Sequence, residues 1–107
     1  MQHPSKQKGN RFERWIVRLC DIWDIKSKRA WGSNGQSLGM HEEVDVLIGN
    51  DFRVQAKCRK KLASFLVPSE EVDAVVFKED RGDTYILMRF EDWLAERKRN
   101  EERNGCI

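Results

Sequence analysis

Two apolar periods, one following the other, limit what this chain can fold into. Phe12, Trp15, Ile16, Leu19 and Trp23 recur at helical spacing, which places them on one face of an amphipathic helix beginning at Gly9. Arg11, Arg14 and Arg18 fall together on the opposite side. Further along, the period drops to two. Val44, Val46 and Ile48 alternate with Asp45 and Leu47. After the turn residues Gly49-Asn50-Asp51, Val54, Ala56 and Cys58 alternate with Arg53, Gln55 and Lys57. This predicts a hairpin of two strands. Residues 73–78 (DAVVFK) and 85–90 (YILMRF) predict two more strands around a turn at Arg81-Gly82-Asp83, and a final helix starts near Glu91. Residues 62–71 begin as a short helix that Pro68 breaks. The order places the chain in the α/β class.

With 107 residues there is room for one domain. Four Trp and five Phe supply large groups for a core and argue against disorder. Residues 1–8 are expected to form a flexible basic arm, which includes His3. Residues 9–96 form the folded domain. Residues 97–107 form a charged C-terminal tail that frays. No apolar run approaches the roughly 20 residues of a membrane span, and no apolar stretch follows the basic start, so neither a membrane partner nor a signal peptide is expected. Three widely spaced cysteines, Cys20, Cys58 and Cys106, make neither a disulfide framework nor a zinc spacing. They read as reduced thiols in a cytoplasmic protein.

The net charge of +2 hides an asymmetry. Residues 1–37 carry eight Lys and Arg against three Asp and Glu, and Arg59, Lys60 and Lys61 add three more positive charges. Residues 62–107 carry seven against eleven. Basic charge concentrated in this way suits a polyanion on one face. A soluble surface of mixed charge is the plainer alternative.

Several residues can carry chemistry. Gln55 and Lys57, two apart on a strand, share a face, and Asp45 on the neighbouring strand can join them. Glu13 sits at the edge of the apolar helix face, about 100° round from Phe12, where a carboxylate can reach over the rim. Asp45, the Gln55 side chain and the Ala56 carbonyl offer oxygen ligands to a hard divalent cation. Lys57 can orient a water or stabilise charge developing on a phosphate. On spacing alone, Glu13 reads more simply as a solvated glutamate, and the hairpin as an edge with polar residues facing water. The loop at 32–39 (GSNGQSLG) can bring backbone N–H groups near a phosphate, but it matches no phosphate-loop motif. His41, four residues before Asp45, can serve as a base but reads more simply as a surface residue. Cys58, between Lys57 and Arg59, has neighbours that favour a thiolate, but strand alternation puts it on the packed face as a core thiol. Trp31 either stacks on a base or packs under the loop.

Four segments in order resemble the PD-(D/E)xK nuclease superfamily, and within it the small archaeal and phage Holliday junction resolvases. They are Lys8-Gly9 through Glu13 opening a helix, Arg29 with Gly32-Ser33-Asn34-Gly35, Asp45 in EVDVLIG, and Gln55-Ala56-Lys57. The resemblance implies a restriction-endonuclease-like α/β fold with a central mixed β-sheet flanked by helices. It also implies a homodimer and Mg²⁺-dependent phosphodiester hydrolysis, with Mn²⁺ as a substitute metal and no small-molecule cofactor. Glu13, Asp45, Gln55 and the Ala56 carbonyl would hold the metal, Lys57 would position the attacking water, and Ser33 would lie near the scissile phosphate. Lys8, Arg11, Arg14, Arg29, Arg59, Lys60 and Lys61 would contact branched or duplex DNA. Two departures stand out: Val44 replaces the usual Pro, and Gln55 replaces the usual acid. Residues 58–72 are also short for the helix that follows the motif strand. The competing expectations are a nickase or restriction-type endonuclease of the same fold, an inactive DNA-binding module, and a small assembly protein.

Overall fold

A computed structural model of the chain describes residues 4–30 and 35–105. These form a mixed α and β structure in two compact units, residues 1–58 and 59–107.

In the first unit, α1 (Pro4–Ile22) precedes β1 (Ser27–Arg29), β2 (Val46–Ile48) and β3 (Phe52–Val54). The helix starts at Pro4, not Gly9, so residues 4–8 of the expected basic arm are helical. Proline suits a first helical position, because its fixed φ is already helical and its missing N–H has no partner there anyway. The buried stripe of α1 runs through Asn10, Glu13, Ile16, Leu19 and Cys20, while Trp15 is 49% exposed. The packed face is therefore rotated toward Glu13 and away from Trp15. Asp21 and the residues after it close the helix. Ile25 N–H donates to Cys20 O at 2.9 Å and Asp24 N–H to Asp21 O at 3.0 Å, with Asp24 at φ 54°. This is a Schellman arrangement with aspartate in the left-handed position that usually favours glycine, and the buried Ile25 follows it.

The three strands form an antiparallel meander with β2 central. Arg29 pairs with Val46, and Val46 with Val54. Helix α1 packs on β1 and β2, and Ile16, Leu19, Cys20, Ile25, Ala30, Val44, Val46 and Ile48 make the core. The edge strand β1 has the sequence Ser-Lys-Arg, so no apolar alternation announces it. The ladder of β3 stops at Val54, short of the expected Cys58. Beyond it the alternation survives in burial: Gln55 and Lys57 are exposed, Ala56 and Cys58 half-buried. The reason for the stop is that Ala56 N–H donates to a side chain, the Asp45 carboxylate, instead of a strand carbonyl.

In the second unit, a single 3₁₀ turn at Ser64–Leu66 stands where a short helix was expected. Strands β4 (Ala74–Lys78) and β5 (Thr84–Met88) form a hairpin, and α2 runs from Phe90 to Gly105. Phe77 and Tyr85, opposite each other in the hairpin, stack at 5.9 Å. The Arg89 guanidinium donates to the carbonyls of Pro68 and Ser69, at 3.2 Å each, and so ties the turn before β4 to the end of β5. The expected fraying tail is helical to Gly105. Glu91 and Asp92 in the first turn and Arg103 in the last complement the helix dipole. Arg97–Glu101 and Arg99–Glu96 pair along the surface, and Arg97 lies 5.6 Å over the Trp93 ring. Such pairs at three- and four-residue spacing support a helix with few apolar residues. Strand pairing is antiparallel throughout, in a three-stranded and a two-stranded sheet. The parallel pair that a mixed sheet requires is not among the described residues. No helix among them is long and apolar enough to cross a membrane.

Candidate active site

Two acids lie inside the first unit. Of the chain's 18 Asp and Glu, the buried ones are Glu13 at 3% exposure and Asp45 at 8%. Burying a carboxylate is expensive unless charge or hydrogen bonds compensate it, and each of these is compensated differently.

Glu13 enters from α1, one turn from Asn10 and one from Ile16. Its Oε1 lies 3.4 Å from Nε of Arg29, which comes from β1 with about a quarter of its side chain exposed. Arg29 was expected on a DNA-facing surface. Its guanidinium is also the counter-charge of a buried carboxylate, because its strand position faces the helix that carries Glu13, with about a quarter of the side chain left open to solvent.

Asp45 joins all three strands at one end. Its N–H donates to Val54 O at 2.8 Å, its carbonyl accepts from Ala30 N–H at 2.9 Å, and its Oδ2 accepts from Ala56 N–H at 2.8 Å. Ala56 therefore meets Asp45 through its N–H. The paired ladder ends at Val46 with Val54, and Asp45 N–H reaches the carbonyl of Val54, not of Gln55, so the regular register does not carry on to set Asp45 opposite Gln55.

Gln55 is exposed and lines an open cavity of about 450 Å³ with His41, Glu43, Val44, Arg53 and Val54. Lys57 is exposed one strand step further on. Arg11 and Arg14 line a smaller hollow of about 230 Å³ with Gln7 and Asn10 on α1. Arg18 is exposed on the same outer side of the helix, while Lys8 is half-buried. Arg59, Lys60 and Lys61 are exposed at the start of the second unit. Ser33 and Trp31 lie outside the described residues.

No group of three or more His, Cys, Asp and Glu poised for a metal occurs among the described residues. Glu13 and Asp45 are buried, against Arg29 and the Ala56 N–H respectively, and Gln55 is exposed; carboxylate and amide oxygens are the hard donors that Mg²⁺ takes. Sequence reasoning weighs His41 only against Asp45 and passes over Arg53, yet both line the cavity with Gln55. The signal for Arg53 was present, since it stands two residues before Gln55 on the same strand. No family model matches the chain, and no match is found among curated proteins or solved structures.

Proposed function

We propose that the chain is a metal-dependent, structure-specific DNA endonuclease of the PD-(D/E)xK type, acting on four-way junctions as a homodimer. The observation that carries this reading is burial. The two acids that the resemblance singles out, Glu13 and Asp45, are also the two that the fold buries, and a solvated glutamate would not need an internal arginine partner.

Glu13, Asp45 and Gln55 would hold Mg²⁺, which supplies Lewis acidity toward a phosphoryl oxygen when bound. Two hydrogen bonds fix the Asp45 backbone and one, from Ala56 N–H, holds its Oδ2, so the carboxylate is oriented before any ligand arrives. Arg29 supplies counter-charge to Glu13 in the interior. Lys57, exposed on the strand face of Gln55, donates hydrogen bonds to the attacking water and to the charge that builds on the phosphate. Arg11, Arg14 and Arg18 offer phosphate contacts along the outer side of α1, and Arg59, Lys60 and Lys61 offer more. Such contacts position a protein without reading sequence, which suits a branched substrate. A symmetric dimer presents two sites related by a two-fold axis, as the paired scissile strands of a junction require.

A second reading is favoured by Gln55: a neutral amide in place of an acid lowers the charge available to a cation, as in a binding module that has lost cleavage. Incubating labelled four-way junctions and linear duplex with the protein, with and without Mg²⁺ or Mn²⁺, tests both. Metal-dependent cleavage of junctions in preference to duplex is expected. Equal cleavage of duplex would move the assignment to a nickase or restriction-type enzyme. Binding in EDTA without cleavage in metal would leave the binding module.

A further inference from the structure

The cavity beside Gln55 has a use that the metal site does not exhaust. Arg53 and Gln55 alternate onto one face of the extended β3 segment, and both line the cavity together with His41 and Glu43 over Val44 and Val54. His41 is held in place. Glu43 N–H donates to its Nδ1 at 3.1 Å, so the neutral ring carries its proton on Nε2 as a hydrogen-bond donor. Its carbonyl accepts from Val44 N–H at 3.0 Å. The same carbonyl oxygen would lie 1.9 Å from a Cβ built on the buried Gly35, so the backbone at His41 is pressed against the loop. The cavity thus gathers three donors: a guanidinium, an imidazole N–H and an amide. Its one charged acceptor is Glu43, which is exposed.

We propose that this cavity is a phosphodiester subsite, in which Arg53, His41 and the Gln55 amide donate to the backbone phosphate adjoining the scissile one. The proposal rests on the nuclease reading above. It gives the amide at position 55 a reason. An amide can present its oxygen to a cation and its N–H to a phosphate, whereas a carboxylate has no N–H and repels the phosphate. Glu43 adds selectivity, because a monoanionic diester tolerates a nearby carboxylate better than the more highly charged free phosphate does.

Fluorescence anisotropy of a labelled four-way junction in EDTA, at salt from about 50 to 200 mM, tests the subsite. Arg53→Ala should weaken binding roughly tenfold, the worth of one hydrogen bond to a charged group. It should also make the slope of log affinity against log salt shallower by about 0.9. Arg53→Lys keeps the charge and should restore the slope. His41→Ala should weaken binding by a few-fold at the wild-type slope, because a neutral imidazole displaces no counterion. The double variant should lose less than the product of the single losses, since both donors serve one phosphate. In NMR titrations, a thymidine dinucleotide should shift the amides of residues 41–43 and 53–55 more than inorganic phosphate does. Wild-type affinity and slope in both Arg53→Ala and His41→Ala would overturn the subsite while leaving the nuclease reading in place. So would stronger shifts with inorganic phosphate. Failure of the wild-type protein to bind any DNA would overturn the nuclease reading, and the subsite with it.

Discussion

Replacing Arg29 by methionine removes the counter-charge of Glu13 while keeping most of the side-chain volume. At the observed 3.4 Å, two unit charges attract by about 5 kcal/mol at an effective dielectric of about 20. That gross figure is offset by the desolvation of both groups. Breaking a fully buried pair costs about 3–5 kcal/mol, because the remaining charge stays inside without compensation. About a quarter of the Arg29 side chain reaches water while Glu13 is nearly fully buried, so the expected loss falls lower, at about 2–3 kcal/mol. With an m value of about 1–2 kcal/mol per M urea, the unfolding midpoint should drop by about 1–3 M. Glu13→Gln should cost less than Arg29→Met, since Arg29 has an outlet to solvent and Glu13 does not. The double variant should be more stable than Arg29→Met alone, because it leaves no buried charge. Mg²⁺ should raise the midpoint of Arg29→Met more than that of wild type, by mass action on a site whose acid has lost its internal cation. The assay is urea unfolding followed by far-UV circular dichroism, with and without Mg²⁺. An unchanged midpoint in Arg29→Met, or a double variant no more stable than it, would refute the argument that Arg29 compensates Glu13.

Asp45→Asn should reduce junction cleavage by orders of magnitude, read by gel, while binding in EDTA survives. The amide oxygen can still accept from Ala56 N–H, so the stability cost in urea unfolding should stay near 1 kcal/mol. Gly35→Ala should destabilise by about 1–3 kcal/mol or more, read by thermal melting, because a Cβ there would meet His41 O at 1.9 Å and Val44 Cβ at 2.9 Å. Asp24→Gly should stabilise by a few tenths to about 1 kcal/mol, because glycine adopts the left-handed C′ position without steric cost; urea unfolding reads the gain. Replacing Arg59, Lys60 and Lys61 together by Ala should flatten the salt slope of junction binding by up to about 2–3 units if all three touch phosphate, measured by anisotropy.

The apolar residues placed most of the elements, and the polar ones decided where they end. Val46 and Ile48 marked β2, and residues 73–90 marked the second hairpin, because their apolar alternation is strong. Strand β1 was hidden, since Ser27-Lys28-Arg29 takes its conformation from pairing with β2 and has no pattern of its own. The end of β3 was misplaced because period-two patterning cannot tell a strand carbonyl from a side-chain carboxylate as the acceptor for Ala56 N–H. The helical tail to Gly105 was missed because its support comes from charge pairs, not from an apolar stripe. In the site, the motif spacing pointed to Glu13 and Asp45 as a pair. It placed Glu13 on a rim, because Trp15 was counted in the packed face; with Trp15 half out in solvent, the stripe turns and takes Glu13 inside. That Arg29 would serve Glu13 required knowing that β1 exists.

The antiparallel order β1-β2-β3 and β4-β5 has a kinetic consequence. Every sheet pairing among the described residues joins strands that are consecutive in the chain, so no rung waits for a distant crossover to close. The longest excursion between paired strands is the segment from Arg29 to Val46, and its closure entropy grows only slowly with length. Chains dominated by such near-neighbour contacts search little and form their hairpins on the microsecond scale. The slow event in the first unit should therefore be the closing of that one segment over Gly35, the same event that brings Ala30 N–H to the Asp45 carbonyl. Asp45, whose carbonyl is engaged in that step, would then be buried late.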